Sequence, residues 1–429
     1  MNRTLRMAAM TGIIALFAAS HVKATIFRSN HFRGHDFGSG TMIPEDRDSL
    51  IGASCEIGSA TNCRDADKEK VSVFNVYGAE QDAIAMFMNP ITAPPDAENV
   101  QNLFKVFSKA TVNGETGRMS VDGKVEEKTF TVWGKWKLPN TTTQGSWFVD
   151  VYVPMKSMNF TDVVWTDLTT GKFPGDADVQ TDITGRIAAA CTAISSLDIG
   201  DCSESGVGDI TAFLGWSNDY PQERDKLKNV HFNAKIGVSC PSGKQRDENI
   251  LFSTAFGSDG AWGIPAYLGL DLGFEHSFQL GGSVDFLYLF DHESTYRMKT
   301  NTYQTDYLLH SQGTATKNHG ATWNFNVYGA LAPKENKGLS ASVGYRYIKH
   351  DEDELTPTSD SFDSTTVNTA NDLKEWASHD ILISAQYDAS YKNSDKRITP
   401  LIDIFAKIPI TGKRVVSGYT FGGSLSITF

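Results

Sequence analysis

Long two-faced strands with charges at the middle of one face restrict this chain more than any other feature. "ATWNFNVYGAL" sets Trp323, Phe325, Val327 and Leu331 against Thr322, Asn324, Asn326 and Tyr328. Successive side chains of a strand point to opposite faces, so the segment reads as a strand with one apolar side. "LSASVGYRYIKH", "HDILISAQYD", "AYLGLDLGFE" and "VHFNAKIGVS" repeat the pattern. Each runs for about nine to thirteen residues, enough to cross a bilayer at a tilt and longer than the strands of ordinary sheets. Lys235, Asp271, Asp285, Arg346 and Asp403 fall in the centres of the polar faces, where a dry sandwich core would not hold them.

The connections support the same reading. Counted back from the C-terminus, the joints near Tyr391–Arg397, Pro333–Lys337, His276–Gln279, Asn218–Asp225 and Pro139–Gln144 are short. Those between them, Asp351–Glu375, Glu293–Asn318, Cys240–Trp262 and Met155–Ser205, are long, and Thr411–Arg414 alone breaks the alternation. Short turns at one end and long loops at the other are the habit of a membrane barrel. The expected fold is therefore all-β, a closed antiparallel transmembrane β-barrel. Eleven strands can be counted from Lys124 to Phe429. An even number is required, which makes about twelve, within a range of ten to fourteen. The missing strand is sought in Asn102–Val112.

The first residues, "MNRTLRMAAMTGIIALFAASHVKA", have two arginines, a short apolar run and small residues at Val22 and Ala24. This predicts a secretory signal over residues 1–24. Residues 25–101 are expected to form a periplasmic arm or plug and 102–429 the barrel. "DVQTDITGRIAAACTAISSL" predicts a helix within the Met155–Ser205 loop, its apolar face carrying Ile183, Ile187 and Ile194. Cys55 with Cys63, and Cys191 with Cys202, are spaced to close small loops in an oxidising compartment. Of the 429 residues, 39 are Lys or Arg and 51 are Asp or Glu. That acidic balance excludes nucleic acid, which needs a basic stripe.

The final strand, "GYTFGGSLSITF", places Tyr419, Leu425, Ile427 and the terminal Phe429 on one face. It resembles the C-terminal assembly signal of Gram-negative outer-membrane barrels. That resemblance implies an outer-membrane location, with outer-membrane lipid and the barrel assembly machinery as partners. "GVGDITAFLGW" at Gly206–Trp216, followed by "KIGVSCPSGK" at Lys235–Lys244, resembles the G-x-G-D strand and G-x-x-x-P-[ST]-G turn of the phenol-degradation (MetA-pathway) and FadL-like transporter barrels. Those families imply passage of small, often apolar compounds. The polar inner faces depart from the FadL-like pattern. Without reference to any family, Gly206 and Gly208 permit a tight entry to the strand, and Asp209 can hydrogen-bond the turn.

The expected inner wall carries Lys135, Lys137, Lys235, Arg346 and Lys407 with Asp150, Asp209, Asp271, Glu275, Asp285, Asp388 and Asp403. Charges of this density need water or one another. Across a hydrated lumen they would set the field that small solutes cross, with mild cation preference. The function expected is passive passage of small solutes, with no enzyme activity and no cofactor. A surface scaffold or adhesion barrel, and an uptake barrel for apolar compounds, are the alternatives, and a homo-oligomer is compatible with either. His292 and Ser294 have a spacing similar to that of the outer-membrane phospholipase, but strand register sets His292 on the lipid side. The acidic stretch Asp351, Glu352, Asp353, Glu354, Asp360, Asp363 reads as a solvated loop. His31 and His35 lie close to the N-terminus and read as incidental.

Overall fold

The computed structural model describes residues 47–87, 115–139, 145–332, 338–389 and 399–429. The twelve wall strands are β1 (Ser49–Ala60), β2 (Arg118–Lys137), β3 (Ser146–Asp167), β4 (Ile210–Pro221), β5 (Leu227–Cys240), β6 (Gly263–Phe274), β7 (Phe278–Leu289), β8 (Thr322–Leu331), β9 (Leu339–His350), β10 (Trp376–Asp388), β11 (Thr399–Lys413) and β12 (Tyr419–Thr428). Every neighbouring pair is antiparallel, and the ring closes because β1 bonds to β12 on one side and β2 on the other. Closure leaves the barrel without a free edge.

Alternation carries through to the two surfaces. On β12, Tyr419, Phe421, Leu425, Ile427 and Phe429 are exposed, while Thr420, Ser426 and Thr428 are buried inside. Ile236, Leu268, Leu270, Val327, Val343, Ile383, Ile402 and Ile404 continue the outer belt around the cylinder. An exposed apolar surface of that extent is met by lipid, not water. Among the described residues no helix is long and apolar enough to cross a membrane. The strands do that work.

Both ends of the wall chain, Ser49 and Thr428, lie at the rim of short turns, where Leu50 faces Thr428 and Lys135. The long connections gather at the other rim. There β2 and β3, of 20 and 22 residues, outrun their neighbours, and Cys202–Val207 adds to the projecting part of β3. A folded cap is built on this ribbon. Helices α1 (Asp176–Asp182) and α2 (Ile187–Ser195) set Val179, Ile183, Ile187 and Ile194 against Ile84, Met86, Met119 and Leu308. A second cluster joins Val73, Phe74, Phe160, Phe252, Phe256 and Tyr307. The strand Gln312–Asn318 lies between His292–Arg297 and Glu354–Pro357 in a separate three-stranded sheet.

Several expectations change. The missing wall strand is Ser49–Ala60, inside the stretch expected as an arm or plug, so the barrel starts at Ser49 and not at residue 102. Asn102–Val112, residues 1–24, His31 and His35 lie outside the described residues. The predicted loop helix is two helices separated by a 3-10 turn at Thr184–Arg186. All five cysteines are free: Cys55 is exposed on the outer face of β1, while Cys63, Cys191 and Cys202 are buried. Cys191 packs against Met86. His292 and Ser294 belong to the cap sheet and not to the wall. The acidic stretch is not uniformly solvated, because Asp353 is buried between Lys317 at 2.7 Å and His350 at 3.1 Å. Burial alone would raise its carboxyl, but the Lys317 ammonium, with the His350 ring hydrogen-bonded beside it, holds it well below the usual carboxylate range.

Candidate functional site

Strand parity delivers most of the predicted charges to the inside. Lys135, Asp150, Lys235, Asp271, Asp285, Arg346, Asp388 and Asp403 are inward and buried, and Lys137 and Lys407 are inward and half-buried. Two of the twelve are elsewhere. Glu275 stands exposed in the turn Glu275–Ser277 at the short-turn rim, 3.8 Å from Lys228. The register of β6 against β5 shifts between Gly273 and Phe274, so alternation stops before it. Asp209 precedes β4 and is enclosed where wall meets cap.

The inner wall is a network of short contacts. The Lys235 ammonium lies 3.2 Å from Asp150, and 5.0 Å and 5.4 Å from the ring centres of Tyr267 and Phe213. Arg346 gives Nε and Nη2 to one Asp380 oxygen at 3.1 and 2.7 Å. Asn324 donates to Asp285 at 2.7 Å, and Asn326 to Ser283 and Asp285. The Tyr328 hydroxyl donates to Asp271. Lys156 meets Glu127 at 2.9 Å, and Lys135 sits 3.8 Å above the Phe148 ring. Paired charges of this kind have strong fields only nearby. They give a hydrogen-bonding wall rather than two opposed charged halves.

Sequence reading missed Glu56, Glu127, Lys156, His231 and Asp380 on this wall. Glu56 was hidden by the assignment of β1 to an arm. Asp380 shares the parity of Ser384 and Asp388 and lies inside the segment "HDILISAQYD", so carrying the alternation to its start finds it. Glu127 and Lys156 lie where β2 and β3 begin to outrun the ring. With these included, carboxylates still outnumber cations.

The mouth explains the G-x-G-D motif physically. The backbone N–H of Gly208 donates to Pro154 O at 2.7 Å, which turns the chain into β4. The carboxylate of Asp209, wholly buried, then accepts from the N–H of Gly243 at 2.9 Å and that of Ser258 at 2.6 Å, and from the Ser258 hydroxyl. Both ends of the loop joining β5 to β6 are thereby clasped at one point. A Cβ on Gly257 would fall 2.2 Å from the Asp209 carboxylate, so the clasp needs glycine there. The "PSG" turn is the partner of the "GVGD" aspartate. Among the described residues no group of three or more ligand side chains could hold a metal.

The model of the family described as "Putative MetA-pathway of phenol degradation" matches residues 113–338. The structure resembles an outer membrane channel from Pseudomonas putida F1 with a TM-score of 0.50, at 10% sequence identity over 90% of this chain and 100% of that one. A Pseudomonas aeruginosa FadL homologue aligns with a TM-score of 0.30, at 11% identity over 100% of this chain and 97% of its own. The Ralstonia pickettii toluene transporter TbuX aligns with a TM-score of 0.34, at 8% identity over 91% and 92%. No curated protein matches the sequence.

Proposed function

Since the chain belongs to the MetA-pathway phenol-degradation family, we propose that it is an outer-membrane channel through which small solutes diffuse. One observation carries the reading: a closed twelve-stranded ring is apolar outside and charged and hydrogen-bonding inside. Such an interior is built at high desolvation cost unless polar solutes and water use it. No chemical step is needed. The wall favours small polar or amphipathic solutes over long alkyl chains, and its acidic excess gives mild cation preference. Residues 1–24 supply export, and the strand ending in Phe429 is offered to the assembly machinery.

The test is conductance. Purified protein in planar bilayers is expected to give discrete current steps, with a reversal potential in a salt gradient that favours cations. A silent, correctly folded barrel would end the channel reading and leave the scaffold role. Anion preference would overturn the selectivity.

A further inference from the structure

The cap holds a cavity of about 80 Å³ that the channel reading does not use. Tyr77, Phe252 and Tyr307 wall it, with ring centres 5.9 Å apart for the two tyrosines and 6.2 Å for Phe252 and Tyr307. Leu251 and Leu309 complete an apolar surface. Ser253, Thr254, Arg246, Arg297, Asp306 and Asp372 also line the cavity, so polar groups are as prominent as apolar ones. Small-molecule sites combine an apolar surface with convergent polar groups, and both are present here.

The charged groups at its edge are almost all engaged. Arg297 donates to the carbonyls of Ser195, Glu248, Leu309 and His310. Arg246 grips Glu248 through Nε and Nη2 at 2.9 and 2.8 Å. Asp306 takes Lys299 at 3.1 Å and the side chain of Asn371 at 3.0 Å. Asp372 remains. It lines this cavity and a smaller adjoining one, and its carboxylate accepts no hydrogen bond among the described residues. With two ion pairs closed, Asp372 and Arg297 balance one another, so the cavity is close to neutral overall.

We propose that this cavity binds a small neutral molecule with a hydroxyl on a short apolar tail. The hydroxyl donates to Asp372, and the tail lies against Tyr77, Phe252 and Tyr307. The volume is about half of one known to accommodate benzene, which sets the tail short. Neutrality of the lining disfavours an ammonium head. The Tyr307 hydroxyl is sealed within the protein and takes no part.

The experiment titrates ethanol and ethylamine into the full-length protein in detergent, followed by ¹³C-tyrosine ring shifts. Ethanol is expected to bind in the millimolar range and ethylamine at least five-fold more weakly. Asp372→Ala should raise the ethanol Kd five-fold or more. Leu251→Phe, which fills the space, should abolish binding, and Tyr307→Phe should leave it within two-fold. Each variant is first checked for the heat-modifiable mobility of a folded barrel. Should Asp372→Ala not fold, the filling variant decides. The proposal fails if ethanol causes no saturable shift, if the folded Asp372→Ala or Leu251→Phe variant binds like the parent, or if ethylamine binds more tightly. Bilayer conductance does not enter the readout, so a silent pore would leave this result standing.

Discussion

Lys235 sits on the inner wall with Asp150 at 3.2 Å and aromatic rings around it. Parity along "VHFNAKIGVS" was enough to turn it inward, because alternation is a local property of a strand. The pairing itself joins residues 85 apart and three strands of wall, which no local pattern encodes. Replacing Asp150 with Asn keeps the shape and removes one negative charge. The expected result is a reversal potential shifted toward anions, with stability reduced by about 1–3 kcal/mol as a charge-assisted contact weakens. An unchanged potential would show that ions do not pass this point. Asp372 permits a prediction from pH. Burial, with Asp306 alongside, pushes its carboxyl up from 3.8 to about 6, against the pull of Lys317, Arg246 and Lys299. The folded cap therefore binds this proton more tightly than the unfolded chain does. Stability from this group is greatest at low pH and falls as pH rises from about 4 through about 6. Cap proteolysis is expected to be slower at pH 5 than at pH 7.5 in the parent, and equal at both in Asp372→Asn. Asp353 is lowered and stays charged across that window.

At the level of elements, what could be read was what repeats. Strand faces, loop alternation and the helical spacing of Ile183, Ile187 and Ile194 all follow from periodicity. The cap could not be read this way. Its sheet and clusters join segments from five separate connections, each apolar run too short to declare a partner. Cysteine spacing misled for a related reason: Cys55 and Cys63 are close in sequence but on opposite sides of a lipid-to-cap boundary. The Asp209 clasp is the clearest case of a motif whose letters were visible and whose mechanism was not. Its carboxylate ties Gly243 and Ser258, which bracket most of the loop between β5 and β6. Asp209→Ala removes every acceptor at that point, and charge-assisted hydrogen bonds contribute about 1.5–3 kcal/mol each. Limited proteolysis is expected to begin within residues 241–262, with the wall still heat-modifiable. Gly257→Ala should reproduce the cleavage, because its Cβ would collide with the same carboxylate. Protection equal to the parent in both variants would mean that the loop is held by other contacts.

For the molecule as a whole the decisive element is β1. The even-strand rule required a twelfth strand but could not say where it lay. "SLIGASCEIGSA" has no aromatic and a single charge, so its pattern is faint. The reason is geometric: a Cβ on Gly52 would come 2.4 Å from the Trp133 side chain, so the inner face at this point must be small. The strand nevertheless closes the cylinder, running antiparallel to β12 from Leu50 to Ser59 and to β2 from Ser49 to Ala60. Without it two strands would present unpaired backbone groups to hydrocarbon, each costing several kcal/mol. Deleting residues 49–60 is therefore expected to abolish the heat-modifiable, protease-resistant form altogether. Gly52→Leu, which leaves every backbone hydrogen bond available but drives a side chain into Trp133, should lower stability while retaining some folded barrel. If the deletion variant still gives a compact, heat-modifiable species in detergent, eleven strands suffice. The closure that separates a greasy outside from a charged inside would then be incidental to this fold.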